Sequence, residues 1–484
     1  MPALRVEEHP ASTLVAAASA ATASSLYGGR ELGARDRERL LQTRPARALQ
    51  LAHEDRRIAT AGMILARARW GSVAEALELA NAVLDAGDDE RDLPLAPETM
   101  SALWAAMSEA FSTAARPRQG MLCAERLLGY ALDTGDDAWA YRALGLLAAA
   151  AAFAGEFVLA ENTVARADAI AHRGGWDYSI AAYPLIAAEL LIGSARVDAA
   201  GLAAIAQRSR DVPAQIPIWS SFTAIAEGMA LMLAGQPARA ASPLIAVLNG
   251  AHAAMLPRIA HDFVLGTLAT VSVARGQPQR AITMLRDAPS DAEHTVCLNL
   301  QRASAYLQLG DNHAVLSATT DCVRLGEKHC LRTLPPILLR RAVANMRLGH
   351  QRAADESFAD AFHLMIASAA ATPLLTLDRS EVETLLTRLG ESHPDLRPSI
   401  DLVRRRTLPM PVVTPPPLLP PKLSEREAEV AALLRQPLPL RELAERLFVS
   451  QNTMKTHTQA LYRKLGVTSR VDAVSFLERS GFYD

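Results

Sequence analysis

Aromatic side chains are scarce in this 484-residue chain, at 5% for Phe, Trp and Tyr together, and it has only four cysteines. Cys123, Cys297, Cys322 and Cys330 form no CxxC pair. Cys322 and Cys330 lie eight apart with His329 beside them, a spacing that fits no common zinc pattern, so the reading is free buried thiols and no metal. Such thiols suit a reduced cytoplasm. No run of 18 or more residues is apolar without polar breaks, which argues against a membrane span. The alanine-rich stretch from Ala11 to Leu26 follows Glu7, Glu8 and His9, the wrong lead for a secretory signal. GxxxxGK[ST], GxSxG and HExxH are all missing, so no phosphate-cradling loop, nucleophile elbow or zinc-protease helix is encoded. The acids scattered over helical segments read as solvated faces. No cofactor and no enzyme constellation is expected.

Half of the residues are hydrophobic, and alanine supplies much of that half. Small side chains let helix axes approach, and alanine has the best helix propensity, so the composition suits many closely packed helices. The formal charge is −2. Affinity for nucleic acid therefore has to come from a local patch and not from bulk charge.

Between residues 12 and 406 there is no β-alternation, but a punctuation recurs. A glycine ends a helical pattern and an alanine follows five residues later: Gly71 and Ala76, Gly155 and Ala160, Gly235 and Ala240, Gly276 and Ala281, Gly349 and Ala354. Gly193 and Gly310 belong to the series with slipped alanines. Glycines from 155 onward lie 38, 42, 41, 34 and 39 residues apart, and Gly71 to Gly155 is 84, two such steps, with a degenerate member expected near Ala115 to Gly120. A period near 40 with two helices per unit is the signature of a helical solenoid. The glycine supplies a left-handed residue at the helix end. Pro237 and Pro278 suit the first turn of the next helix. The glycine-to-alanine offset, with Ala167 or Ala361 seven further on, resembles tetratricopeptide repeats, although the usual tyrosine and tryptophan positions are mostly absent. Trp70, Trp104, Trp139, Trp176 and Trp219 read as packing between helices and not as a ligand groove. An extended concave surface of this kind is expected to take an unidentified small-molecule or protein ligand.

Thr407 to Lys422, TLPMPVVTPPPLLPPK, holds seven prolines. Proline lacks an amide donor and favours the extended polyproline II form, so sixteen such residues reach roughly 50 Å. Arg404, Arg405 and Arg406 just before it put positive charge at a helix C-terminus. The organisation expected is a loose tail at 1–11, repeats at 12–406, a linker at 407–422 and a terminal domain at 423–484.

That terminal domain reads as four short helices. Ser424 and Glu427 stand at capping-box spacing. Leu440, Leu443, Ala444 and Leu447 form the apolar stripe of a second helix. Phe448 and Val449 make a tight connection to Ser450, an N-cap for the third helix. There Met454, Leu461 and Leu465 share the inner face, and Gly466 stops the helix. Ser469 with Asp472 opens a fourth helix, whose Val474 and Leu477 face inward. The third helix leaves Asn452, Lys455, Thr456, Gln459 and Arg463 outside at three- and four-residue steps. Residues 451–470 carry Lys455, Arg463, Lys464 and Arg470 and no acid. Long basic chains neutralise phosphates, while Asn, Gln and Lys can meet base edges in a major groove wide enough for a helix.

Thr453-Met454-Lys455-Thr456-His457, then Leu461-Tyr462-Arg463-Lys464-Leu465-Gly466-Val467 and Arg470, together with Leu423-Ser424-x-Arg426-Glu427-x-Glu429-Val430, resemble the LuxR-type helix-turn-helix domain. The resemblance spans roughly 60 residues and many positions at fixed spacing. It implies base contacts by Lys455, Thr456 and Gln459, with Asn452 and Arg463 on the same stripe, and phosphate contacts near Thr453, Lys464 and Arg470. It implies a homodimer on duplex DNA through Val471, Val474, Ser475 and Glu478 of the fourth helix. His457 matches a common family histidine, and a partly buried packing role suits it as well as a DNA contact. Two departures stand out: the loop before the second helix is Gln436-Pro437-Leu438-Pro439 in place of a glycine-bearing one, and Met454 replaces the common valine or isoleucine. Large MalT-like members carry an ATPase module ahead of their repeats, and this chain resembles the repeat and reader portions alone. The whole therefore reads as an all-α regulator of bacterial transcription, a solenoid followed by a DNA reader. The alternative is a repeat scaffold acting mainly through protein binding.

Overall fold

The computed structural model describes residues 10–27, 32–85, 95–174, 183–211, 217–250, 253, 256–288, 296–326, 332–370, 372–407, 410, 423–465, 467–479 and 482–483. Among them the chain forms 26 α-helices with short 3₁₀ turns and no strand. Residues 1–9, Trp176, His329, Cys330, Gly466 and all of the proline-rich segment except Thr407 and Met410 lie outside the described residues, and the first helix, Pro10–Tyr27, begins inside the expected tail.

From His53 to Ser368 helices come in pairs, the second turning back on the first, and each pair packs on the next. Examples are Pro97–Thr113 with Pro117–Thr134, Asp137–Ala154 with Phe157–Gly174, and Leu334–Arg347 with Gln351–Ser368. The punctuating alanines are the contact points: Ala76, Ala160, Ala240, Ala281 and Ala354 are all completely buried. Gly155, Gly235, Gly276, Gly310 and Gly349 adopt positive φ between 69° and 82°. Past each, the next amide bonds back five residues, as in Glu156 N to Ala151 O at 2.9 Å. This closure satisfies the carbonyls at a helix end.

The expected gap filler exists, but as an alanine. Ala115, at φ 58°, ends Pro97–Thr113, and Arg116 N donates to Phe111 O at 2.9 Å. Two members of the glycine series play other parts. Gly193 lies inside the helix Tyr183–Arg196, where its carbonyl accepts the closing bond from Asp198 N, and Val197 takes the left-handed position at φ 60°. Gly71 has φ −122° and serves close approach, since a Cβ there would meet Leu41 Cδ2 at 2.8 Å.

Tryptophans pack as expected: Trp139 and Trp219 are buried, and Trp70 and Trp104 are half-buried against the main core. Cys123, Cys297 and Cys322 are buried thiols. Cys322 meets Cys297, at 3.7 Å between sulfurs. The hydrogen bond with the Cys322 sulfur, together with burial, pushes the Cys297 thiol well above its ordinary range.

One acid departs from the solvated-face reading. Glu109 is buried between Arg69 and Arg142, with Oε2 2.9 Å from a nitrogen of each. Tyr183 Oη accepts from Arg69 at 3.0 Å, so four consecutive inner helices meet at one ionic knot. Burial alone would raise the carboxyl of Glu109, but Arg69 and Arg142 outweigh it and hold it below the usual range.

The array also bonds across its own turns. Arg196 Nη1 donates to Ala369 O at 2.8 Å, and Thr372 Oγ1 donates to Ala195 O at 3.0 Å. Leu375 joins the core of the first repeats. Residues 423–483 build a separate hydrophobic core around Val430, Leu443, Met454, Leu461 and Leu477.

Candidate nucleic-acid interface

The four terminal helices are Glu425–Leu434, Leu440–Arg446, Gln451–Leu465 and Arg470–Arg479. Both halves of the capping box form. Ser424 Oγ accepts from Glu427 N at 3.3 Å, and Glu427 Oε2 accepts from Ser424 N at 2.7 Å. Arg426 Nη2 donates to Leu447 O at 3.0 Å and so ties the first helix to the end of the second.

The turn into the third helix is tight because Phe448 adopts φ 54°, a left-handed conformation that lets Val449 N reach Ala444 O at 3.0 Å. Its ring is 97% exposed, so the residue serves the bend and not the core. Ser450 Oγ caps the next helix by accepting from Thr453 N at 3.1 Å. Met454, Thr458, Leu461 and Leu465 face inward. Thr458 escapes sequence reading because it is polar. Its hydroxyl is satisfied by Met454 O at 2.9 Å, which frees its methyl for the core.

The opposite face is the one expected. Asn452, Thr453, Lys455, Thr456, Gln459 and Arg463 are exposed, and His457 is half-buried. Thr456 Oγ1 donates to Asn452 O at 3.0 Å, and Thr453 Oγ1 lies 2.7 Å from Ser450 Oγ. Lys455, Gln459 and Arg463 engage no partner among the described residues, so their donors stand free along one stripe.

The two outer basic residues are held differently. Lys464 Nζ pairs with Glu427 Oε2 at 2.6 Å. The Lys464 contact, followed by the Ser424 amide, holds the Glu427 carboxyl down to about 2. Arg470 turns inward: Nε donates to Leu434 O at 3.0 Å, Nη1 to Leu438 O at 2.6 Å, and Nη2 to Gln436 O. A planar fork with several donors can bind three carbonyls at once. It thereby fixes the proline-bearing loop that replaces the glycine-bearing one.

On the fourth helix Asp472 N donates to Ser469 Oγ at 3.1 Å. Ala473 and Leu477 are buried, Val474 is half-buried, and Val471 is 78% exposed. The side chains of Ser475 and Glu478 lie outside the described residues.

Residues 421–477 match the family profile of bacterial regulatory proteins, luxR family. The chain is 43% identical over 61 residues to the spore germination protein GerE of Bacillus subtilis strain 168, covering 13% of this chain and 82% of that protein. It is 43% identical over 54 residues to the CsgBAC operon transcriptional regulatory protein of Escherichia coli K12, covering 11% of this chain and 25% of that one. A Rap protein, solved in complex with competence and sporulation factor, superimposes with a TM-score of 0.50 at 11% identity, over 74% of this chain and 96% of that chain. This last likeness shows the fold of the helical array alone.

Proposed function

The chain belongs to the luxR family of bacterial regulatory proteins and is a DNA-binding transcriptional regulator, and we propose that it reads its operator through the helix Gln451–Leu465 under control of the helical array. The observation that carries this is the acid-free outer stripe of that helix, where Lys455, Gln459 and Arg463 keep their donors free beside Asn452 and Thr456. In a major groove Lys455 and Gln459 reach base edges, while Thr453, Arg463 and Lys464 lie toward phosphates. Arg470 positions the loop behind that helix.

The protein acts as a homodimer on DNA. Val471, exposed on the fourth helix beside Val474, gives that helix an apolar edge on which two copies meet. Two recognition helices then enter successive major grooves about 34 Å apart, and the operator has two-fold symmetry. The array receives a signal, a small molecule or a protein, and sets how readily two readers come together. The work is regulatory and not enzymatic, and it is done where the chromosome is, in the cytoplasm. Selection of bound fragments from genomic DNA by the purified full chain tests this: an enriched two-fold motif is expected, and recovery of unbiased sequence would sink it.

A further inference from the structure

Two cavities lie side by side in the array, with Met229 and Phe263 common to their walls. The first is walled by Phe153, Leu190, Phe222 and Phe263, with Glu109 and Tyr183 of the ionic knot at its edge, and its exposed wall is otherwise mostly apolar. The second lies across Phe263 and Met229, which line both, and adds Gln301, Arg332 and Thr372 to its wall. Their cavity volumes are about 70 Å³ and about 170 Å³. The polarity changes sharply from one to the other. Arg332 lays its guanidinium 5.4 Å from the centre of the Phe263 ring and has no acidic partner among the described residues. Arg332 Nε and Gln301 Oε1 are both buried without a hydrogen-bond partner. Each such group costs stability until something meets it, and an unpaired cation beside an apolar chamber calls for an anion with a tail.

We propose that the joined cavity binds an apolar-tailed hydroxy acid. Its carboxylate meets Arg332, its hydroxyl donates to Gln301 Oε1, and its tail runs past Phe263 into the chamber formed with Phe153 and Phe222. This deepens the reading of the array as the signal-receiving part and rests on it. The ring of Phe263 stands at the join, so head and tail are sorted on either side of one residue. Charge selects the head, because only the Arg332 half offers a free cation. The apolar half excludes a second charge, so the ligand is a monoanion.

The test is calorimetric titration of the full chain with 3-hydroxydecanoate, its methyl ester and decanoate. One acid is expected per chain, with the ester at least tenfold weaker and decanoate in between. Arg332→Gln is expected to weaken the acid at least tenfold and leave the ester unchanged, Arg332→Lys to restore part of the loss, and Gln301→Leu to abolish the preference over decanoate. The acid and ester arms need no variant, so misfolding cannot hide the answer. Absence of saturable binding, equal affinity for ester and acid, or an indifferent Arg332→Gln would overturn the site. DNA affinity with and without the acid is read separately. Binding that leaves DNA affinity unchanged upholds the site and removes the sensor role; failure to bind removes the site and leaves the DNA reader standing.

Discussion

The ammonium of Lys464, on the last turn of the recognition helix, sits 2.6 Å from Glu427 Oε2, on the first turn of the domain's first helix. The same carboxylate caps Ser424 N. A phosphate arriving at Lys464 therefore competes with Glu427. Glu427→Gln keeps the capping geometry, since glutamine serves at that position, but frees the ammonium. The expected outcome is tighter non-specific duplex binding and a steeper log–log salt slope, while Lys464→Ala weakens all sequences alike and makes the slope shallower, the two shifts together amounting to about 0.9. Fluorescence anisotropy across salt reads both. Two unchanged slopes would remove Lys464 from the DNA contact.

The pH dependence of the terminal domain follows from the same pair. Glu427 titrates near 4.5 when free and at about 2 in the fold. Its folded value is depressed, so its stabilising contribution is complete above about 4.5 and is lost as pH falls from there toward 2. Carboxyl NMR should place the Glu427 midpoint well below the other exposed glutamates. In Glu427→Gln this part of the acid sensitivity disappears, which thermal melts between pH 7 and 3 can follow.

Lys455 and Gln459 stand side by side on the outer stripe with free donors. Lys455→Ala and Gln459→Ala are each expected to cost about 1–3 kcal/mol in specific binding, with little loss on unrelated duplex. Gel-shift titrations on operator and scrambled DNA decide it. If both substitutions are silent, the base contacts lie elsewhere.

Arg470 distinguishes structure from contact. Its three carbonyl bonds hold the loop from Leu434 to Leu438. Arg470→Ala is expected to destabilise the terminal domain by about 2–4 kcal/mol, and Arg470→Lys to recover little, because an ammonium cannot span three acceptors as a fork does. A lysine variant with normal melting would instead point to charge alone, as at a phosphate.

In the array, Glu109→Gln removes the carboxylate that bridges Arg69 and Arg142. Two buried guanidinium groups then lose this carboxylate, and a loss of about 3–5 kcal/mol is expected. Thermal melting followed by circular dichroism should show it in the helical array while the terminal domain is unchanged. A loss below about 1 kcal/mol would mean that water reaches the knot.

What could be read from sequence follows chain-local physics. Glycines at 155, 235, 276, 310 and 349 announced helix ends because a left-handed residue favours glycine, and their φ values agree. Ala115 and Val197 occupy equivalent posts without the residue that would give them away. The outer stripe of the recognition helix was legible because three- and four-residue spacing is a property of one helix. Arg470 was not, since a guanidinium that turns inward to a loop over thirty residues away looks like any basic residue until the loop is placed. For the same reason Glu109 passes for a surface acid: its two partners lie 40 and 33 residues off. Phe448 suggested a tight connection, but nothing in its neighbours signals an almost wholly exposed ring.

Stacked-unit proteins ordinarily lengthen or shorten by whole modules, because each touches only its neighbours. The bonds from Arg196 to Ala369 and from Thr372 to Ala195 withdraw that freedom here. Inserting or deleting one module between residues 196 and 369 would rotate the two halves of the clasp out of reach of each other. Kindred chains should therefore keep their module count constant across this span and vary in size at their extremities.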